Sequence, residues 1–337
     1  MLKTPLFEKK NVLISGGAGF IGSHLAERLL RDRRVICLDT FQTSSERNID
    51  HLLKNPDFEF LKVDITQPFD LEQFPELARF KIPFQGLQEI YHLAVPTSPK
   101  QFDQYKIDTL RANSVGTLQM LELTRQYQSK FVYTSSAVVY GPRRPEHPVF
   151  REEEMGLVNQ LSPRACYDEG KRFAESIVQT YADVYGLEAK IARVFRTYGP
   201  RMRLFDGQMI PDFITNALDG KDLVIYGDES FSTSLCYVSD VVDGLIRLAA
   251  APAGVGPVNL GDDTDVKLVE VAKEIIRLTG SSSKVVFEPP LLFMTSLGLP
   301  DLSRAKEALG WLPLMRLEDG LGQTIEYTKA NRMLLGY

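Results

Sequence analysis

Lys10–Gly22 reads KNVLISGGAGFIG. Asn11 to Ser15 is apolar and partly β-branched, the pattern of a short buried strand. Gly16, Gly17, Gly19 and Gly22 follow at once. Phe20 to Leu30 then carries Ile21, Leu25, Leu29 and Leu30 at helical spacing. A strand, a glycine turn and a helix are the context in which a glycine pattern becomes a dinucleotide site. Glycine lets the chain turn tightly and brings backbone N–H groups up to a pyrophosphate, and the helix N-terminus adds a favourable dipole. The same logic asks for an acid about 20 residues on, at the end of the next strand. Arg34 to Leu38 is that strand and Asp39 that acid. A carboxylate there pairs with a ribose 2′-hydroxyl and repels a 2′-phosphate, so the expected cofactor is NAD. Thr40, Phe41 and Gln42 bring no basic group to reverse this, and Arg47 helps only if it folds back. Gly16, Gly19, Phe20, Ile21, Gly22 and Asp39 are therefore cofactor candidates.

The alternation continues. Phe58 to Val63 reads as a third strand, followed by Asp64 and Ile65 where an adenine ring would lie. Asp64 reads equally well as an ordinary strand-end acid. Glu89 to Leu93 is a fourth strand, and the small residues of Ala94-Val95-Pro96 suit a backbone passing close to a ligand. Leu93 and Ala94 are assigned to the cofactor and Pro96 to the substrate. Asp103 to Gln128 reads as one long helix, with Asn113 as either a buried structural amide or a cofactor ligand. Phe131 to Ser135 is a fifth strand, running into Ser136. The run 141–163, with Pro142, Pro145, Pro148 and Pro163 and the acidic Glu152 to Glu154, reads as a surface excursion. Arg164 to Tyr185 is a second long helix and Glu188 to Phe195 a sixth strand. This order predicts an α/β fold, a Rossmann-like, doubly wound parallel sheet. Beyond Gly199, short strands and helices predict a smaller C-terminal α/β lobe. The expected division is a cofactor domain at 1–198, with 235–260 returning to it, and a substrate lobe at 199–234 and 261–337.

With 337 residues, 44% hydrophobic and 25% charged, the chain can bury a large core in two lobes. A net charge of -5 argues against nucleic acid as the main partner. No run is long and apolar enough to span a membrane. The opening MLKTPLFEKK lacks the apolar centre of a signal peptide, so a cytoplasmic location is expected. Cys37, Cys166 and Cys236 are scattered and odd in number, and His24, His51, His92 and His147 lack ligand spacing. Neither a disulfide framework nor a metal centre is expected.

Tyr167 and Lys171 lie four apart, on one helix face. A phenol titrates near 10, too high for base work at neutral pH, and a nearby ammonium lowers that value. The lysine can also hold a nicotinamide ribose. A hydroxyl at the end of the neighbouring strand completes a proton path, with Ser136 the first candidate and Ser135 the second. A surface Tyr–Lys pair is the alternative reading, but the strand ending in serines favours catalysis.

At these residues the chain resembles the extended short-chain dehydrogenase/reductases, the NAD-dependent epimerase/dehydratase family acting on nucleotide sugars. GGAGFIGSHL, YHLA, NSVGTLQML, TSSAVVYG, YDEGKR, RVFRTYGPR, YVSDVVDGL and VNLG carry the likeness along nearly the whole chain. PRACYDEGKRFAE and YGPRM are most similar to the UDP-glucuronate decarboxylases. The resemblance makes Tyr167 the acid/base, Lys171 its partner and Ser136 the assisting hydroxyl. It implies oxidation of a sugar C4 hydroxyl to a transient ketone. That ketone epimerises, loses water or loses carbon dioxide, and is then reduced. It also implies a homodimer through the two long helices.

The departures from that likeness are specific. Val138 stands where decarboxylases and dehydratases have a glutamate, as in simple 4-epimerases. Asp108 stands near a family lysine, Arg196 replaces a diphosphate-contacting asparagine, and Thr233 and Gly298 stand where arginines usually hold the diphosphate. Arg196, Arg201 and Arg203 bring new positive charge, either as a solvated basic loop or as a grip on an anion. The resemblance matches Arg203 to an arginine that holds the carboxylate in some uronate 4-epimerases. Pro96, Ser136, Arg196, Arg201, Arg203 and Tyr226 are the substrate candidates. The expected chemistry is on a UDP-uronate, by decarboxylation or by 4-epimerisation. An acidic sugar without the diphosphate handle is a further alternative. A cofactor-binding protein without catalysis is the remaining one, disfavoured because Ser136, Tyr167 and Lys171 are all present.

Overall fold

β1 (Lys10–Ser15) buries every residue after its first. It can do so because it lies inside a seven-stranded sheet and alternates its side chains between two faces. Val12 and Ile14 join Leu25 and Leu29 of α1 (Phe20–Leu29) in one core, whereas Leu13 joins Phe131 and Ile177 in the other. The computed structural model describes residues 9–97, 103–289 and 296–332. Most of the opening decapeptide read above therefore lies outside the described residues.

The sheet continues with β2 (Arg33–Asp39), β3 (Phe58–Lys62), β4 (Glu89–His92), β5 (Lys130–Ser136), β6 (Ala189–Val194) and β7 (Val258–Leu260). Its spatial order is β7-β6-β5-β4-β1-β2-β3, with all neighbours parallel. The order reverses between β1 and β4, so the loops leaving these strands part and open a crevice at their carboxyl ends. β7 joins the sheet through Val258, Asn259 and Leu260, which pair with Ala192, Arg193 and Val194 of β6.

Two expectations need correction. The first long helix begins at Lys106 and is not uniform. α2 (Lys106–Arg111) passes through a π-helical turn at Ala112–Gly116 into α3 (Thr117–Tyr127). Gly116 packs against Ile65 so closely that a Cβ would lie 2.8 Å from its Cδ1. The excursion at 141–163 is also pinned to the body. Val149 and Phe150 pair with Leu299 and Pro300. The buried Glu152 accepts from the Asn259 backbone N–H at 2.9 Å. The Leu157 N–H also donates to the Tyr140 carbonyl at 3.2 Å, while Met155 and Leu161 are almost fully exposed.

α4 (Ala165–Tyr185) lies beside α2 and α3. In the C-terminal part, Leu223–Tyr226 pairs with Val285–Glu288, and α5 (Met209–Leu218) packs against the helix Leu268–Thr279. Among the described residues no helix is long and apolar enough to cross a membrane.

Candidate active site

The crevice at the sheet's carboxyl edge is a cleft of about 610 Å³. Its first half is shaped by steric necessity. Gly16 turns at φ 76°, and its N–H donates to the Leu38 carbonyl at 2.8 Å. A Cβ on Gly22 would lie 2.1 Å from the Gly16 carbonyl oxygen, and one on Gly17 2.3 Å from the Cys37 sulfur. The turn is thus pressed against its own helix and against β2, which leaves backbone facing the cleft. Asp39 closes the β2 end. Its carboxylate accepts from the N–H groups of Ala18 at 3.1 Å and Phe41 at 2.9 Å and from the Ser44 hydroxyl at 2.7 Å. A carboxylate has about four lone-pair positions, so acceptor capacity remains for a ribose hydroxyl. Asn48, which the sequence did not single out, steadies the turn from below by donating to the Ala18 carbonyl at 2.9 Å.

Gly16, Gly19, Phe20, Ile21 and Gly22 all line this half, as do Asp39, Asp64 and Ile65. Leu93, Ala94 and Pro96 line the cleft beyond β4. Ser135 contributes a buried hydroxyl with no hydrogen-bond partner among the described residues. A glycine cradle, an acid at the β2 end and an unmatched hydroxyl further in together fit a dinucleotide such as NAD. When bound, NAD takes up hydrogen from a carbinol carbon and gives it back.

The second half holds the proton-handling groups. Ser136 at the end of β5 and Tyr167 and Lys171 on α4 line one wall. The Lys171 ammonium donates to the Thr134 carbonyl at 2.7 Å, and lies 5.9 Å from the centre of the Tyr167 ring. Lys171 is 3% exposed, and burial brings its pKa down to about 7, partly countered by Glu175. Burial raises the Tyr167 phenol above its ordinary value, opposed by a hydrogen bond with Ser136 and by the charge of Arg164. The sequence expected a phenol lowered by its lysine. Instead both groups favour their neutral forms, because each is taken out of water. His92 lies nearby, bonded through Nδ1 to Ser15 at 2.7 Å and through Nε2 to Thr117 at 3.1 Å. Burial and the Lys171 charge hold it neutral, with a pKa down to about 3.

Four sequence candidates are not among the cleft walls. Asn113 is spent on structure. Its amide donates to the Thr109 carbonyl and accepts from the Tyr133 hydroxyl, both at 2.9 Å, and it packs against Gly170, the residue before Lys171. Arg201 turns back to α1, where it pairs with Glu27 and meets His51 at 3.3 Å. Arg203 is exposed on the same loop, whose left-handed turns at Arg201 and Phe205 carry it past the cleft. Gln208 is the residue from that loop that reaches the wall. Tyr226 ends the strand paired with Val285–Glu288, in the C-terminal part of the fold.

Arg196 does line the cleft. Three further features were not read from sequence. Arg164, three residues before Tyr167, acts electrostatically on both Tyr167 and Arg196. Its spacing from Tyr167 and Asp168 was the available signal. Gln42 donates to Asp108 at 2.7 Å, bridging two walls of the cofactor half. Gly298 lies against Phe150 so tightly that a Cβ would stand 2.9 Å from the ring, leaving no room for the family's arginine as packed here.

Fold and site together define an α/β protein with a dinucleotide cleft that ends in a serine, a tyrosine and a lysine. The chain belongs to the NAD dependent epimerase/dehydratase family, whose model matches residues 12–261. UDP-glucuronic acid decarboxylase 1 of Xenopus tropicalis is 38% identical over 95% of this chain and 72% of its own length. UDP-glucuronic acid decarboxylase 4 of Arabidopsis thaliana is 39% identical over 95% of this chain and 69% of its own. Among solved structures, a UDP-glucuronic acid 4-epimerase from Bacillus cereus in complex with UDP-glucuronic acid and NAD is 26% identical. It aligns with a TM-score of 0.81 and covers 95% of this chain and 99% of that one.

Proposed function

We propose that the chain oxidises the C4 hydroxyl of a UDP-linked uronate to a transient ketone, decarboxylates it, and restores the hydroxyl with the same tightly bound NAD. The observation that carries this is the placement of Ser136, Tyr167 and Lys171 on one wall at the end of the dinucleotide cleft. Tyr167 takes the C4 hydroxyl proton, Ser136 steadies that oxygen, and Lys171 compensates the phenolate. The ketone then accepts the electron pair of the breaking C5–C6 bond as carbon dioxide leaves, and the resulting enolate takes a proton at C5 from water before the ketone is reduced. The likeness to decarboxylases over nearly the whole chain supports this choice.

A second reading is 4-epimerisation of the same sugar. Val138 favours it, being buried in the turn after β5 where it offers no carboxylate. We further assign the cofactor to 1–198 with 235–260 and the sugar nucleotide to the lobe of 199–234 and 261–337. We infer a homodimer through α2, the π-helical turn, α3 and α4, whose exposed Ile107, Leu110, Val115, Leu118 and Phe173 are the apolar residues offered to it. A cytoplasmic location belongs to the same reading.

Purified protein with UDP-glucuronate and catalytic NAD, followed by proton NMR, tests the reaction. A UDP-pentose is the expected product. UDP-galacturonate would establish the epimerase instead, and an unchanged sugar would overturn both. Tyr167→Phe is expected to cut turnover about 10³-fold or more while retaining NAD and the melting temperature. Unchanged turnover would remove Tyr167 from the chemistry.

A further inference from the structure

Tyr167, Lys171 and Glu175 follow one another at four-residue intervals along α4, so they form one stripe on that helix. Tyr167 and Lys171 line the cleft, and Glu175 lies one turn further on, in an ion pair with Arg193 of β6. The pair is bidentate. Nε of Arg193 donates to Oε1 of Glu175 at 3.0 Å, and Nη2 donates to Oε2 at 2.7 Å. Each side chain is 12% exposed, so water screens the pair weakly. Nη1 of Arg193 donates to the Tyr140 hydroxyl at 2.9 Å and to the Glu152 carbonyl at 3.0 Å. Tyr140 donates in turn to Oδ1 of Asn259 in β7 at 2.8 Å. The guanidinium is thus fixed from the turn after β5, from the excursion and, through Tyr140, from β7, and it fixes the Glu175 carboxylate.

The other groups facing Lys171 are neutral. Tyr133 of β5 has its ring centre 4.7 Å from the ammonium, and its hydroxyl donates to Asn113 of the π-helical turn. The Thr134 carbonyl accepts from Lys171, and His92 of β4 is held neutral. Burial disfavours the ammonium, and the charge of Glu175 opposes that. Both Glu175 oxygens are taken by Arg193, so Lys171 feels this carboxylate as a field from one helical turn away. A carboxylate bound directly to Lys171 would lock it as an ammonium, and no carboxylate would leave it an amine. We propose that Glu175 and Arg193 form a positioning pair that sets the charge of Lys171. Glu175 favours the ammonium, and Arg193 limits that influence by holding the carboxylate to β6. Lys171 compensates a Tyr167 phenolate as an ammonium alone, so the pair decides over which pH range the site works. That consequence rests on the reaction proposed above, whereas the charge of Lys171 can be measured without any sugar.

The test is an NMR titration of Lys171 in the NAD-loaded chain, isotopically labelled at the lysine ε-carbons. The Lys171 signal is assigned by its loss in Lys171→Met. In Glu175→Gln the midpoint should fall by about one pH unit relative to the parent protein. In Arg193→Met it should rise, because Glu175 then acts on Lys171 undivided. A pair that merely braces the helix would, when broken, admit water to Lys171 and raise the midpoint in both variants. A rise or no change in Glu175→Gln therefore overturns the proposal, and a fall or no change in Arg193→Met overturns the part given to Arg193. Removing one partner of a buried pair strands the other charge, whereas replacing both is often neutral for stability. If Glu175→Gln fails to fold, the double variant Glu175→Gln/Arg193→Met decides. A midpoint below the parent supports the pair, and one at or above the parent refutes it. If the midpoints move as expected and UDP-glucuronate is left unchanged by the parent protein, the sugar reading fails and the pair stands.

Discussion

The two ends of the cleft are built on different physics. At the cofactor end the shape is steric. Gly16, Gly17 and Gly22 lie where any side chain would strike backbone or a packed sulfur, and Asp39 is fixed by one donor from the glycine turn and two from its own loop. At the sugar end the design is electrostatic. Lys171 lies 5.9 Å from the centre of the Tyr167 ring and the charge of Arg164 acts on the same phenol, and burial shifts Lys171, Arg196 and Tyr167 toward their neutral forms. A steric cradle tolerates almost no substitution and serves one common ligand. An electrostatic site can exchange one charged residue for another and so change what it accepts. Of the departures, Arg196 and Asp108 line the cleft, while the glycine turn and Asp39 keep the expected pattern.

The largest effect expected from breaking this contrast is at Gly22. Gly22→Ala puts a methyl group 2.1 Å from the Gly16 carbonyl oxygen, which is backbone and cannot swing away. Overpacking of this kind costs about 3 kcal/mol or more where backbone must move. The variant should lose bound NAD and melt well below the parent protein, by calorimetry and by cofactor content after purification. A variant that keeps both would show the cradle to be looser than its geometry.

The same contrast explains what could be read in advance. Strand, turn, helix and acid lie within Lys10–Asp39, so the cofactor end was legible as a local pattern. Tyr167 and Lys171 were legible because four residues on a helix fix a shared face. The arginines were not. Arg196, Arg201 and Arg203 lie close together in sequence, yet only Arg196 faces the cleft, because left-handed turns at Arg201 and Phe205 redirect the loop. Asn113 was half legible. Its burial could be guessed, but its use by Thr109 and Tyr133 depends on the packing of α2 against α4 and β5. Phe150 and Glu152 looked like surface, because their partners, Pro300 in the strand pairing and the Asn259 N–H, lie far along the chain.

A smaller effect concerns pH. His92 titrates at about 3 in the folded chain against 6.5 when exposed, through burial and then the Lys171 charge. Its folded value is depressed, so between those limits the unfolded chain binds the extra proton. The stability is complete above pH 6.5 and is lost as pH falls toward 3. Between pH 7 and pH 5 this group alone removes about 2 kcal/mol. Lys171, lowered from 10.5 to about 7, has the same sign in a higher window, so its contribution rises as pH goes from 7 toward 10.5. Urea unfolding of the parent and of His92→Gln at pH 7 and pH 5 isolates the acid limb. Parallel losses in the two proteins would exclude His92 as its source.

The smallest effect tests where the boundary between the two ends runs. By sequence Arg201 belongs with Arg196, and in the fold it belongs with α1. It pairs with Glu27, and beside it the His24 Nε2–H donates to the Pro200 carbonyl at 2.9 Å. Glu27 is about half exposed, so water screens the pair and its worth is small. Arg201→Ala should cost about 1 kcal/mol of stability and leave UDP-sugar affinity within about twofold. A large loss of affinity would carry the sugar site across the loop and return Arg201 to it. A stability loss alone would make Arg201 a clasp between α1 and the loop. Two residues that differ by five in sequence, Arg196 on the cleft and Arg201 against α1, would then serve different halves of the molecule.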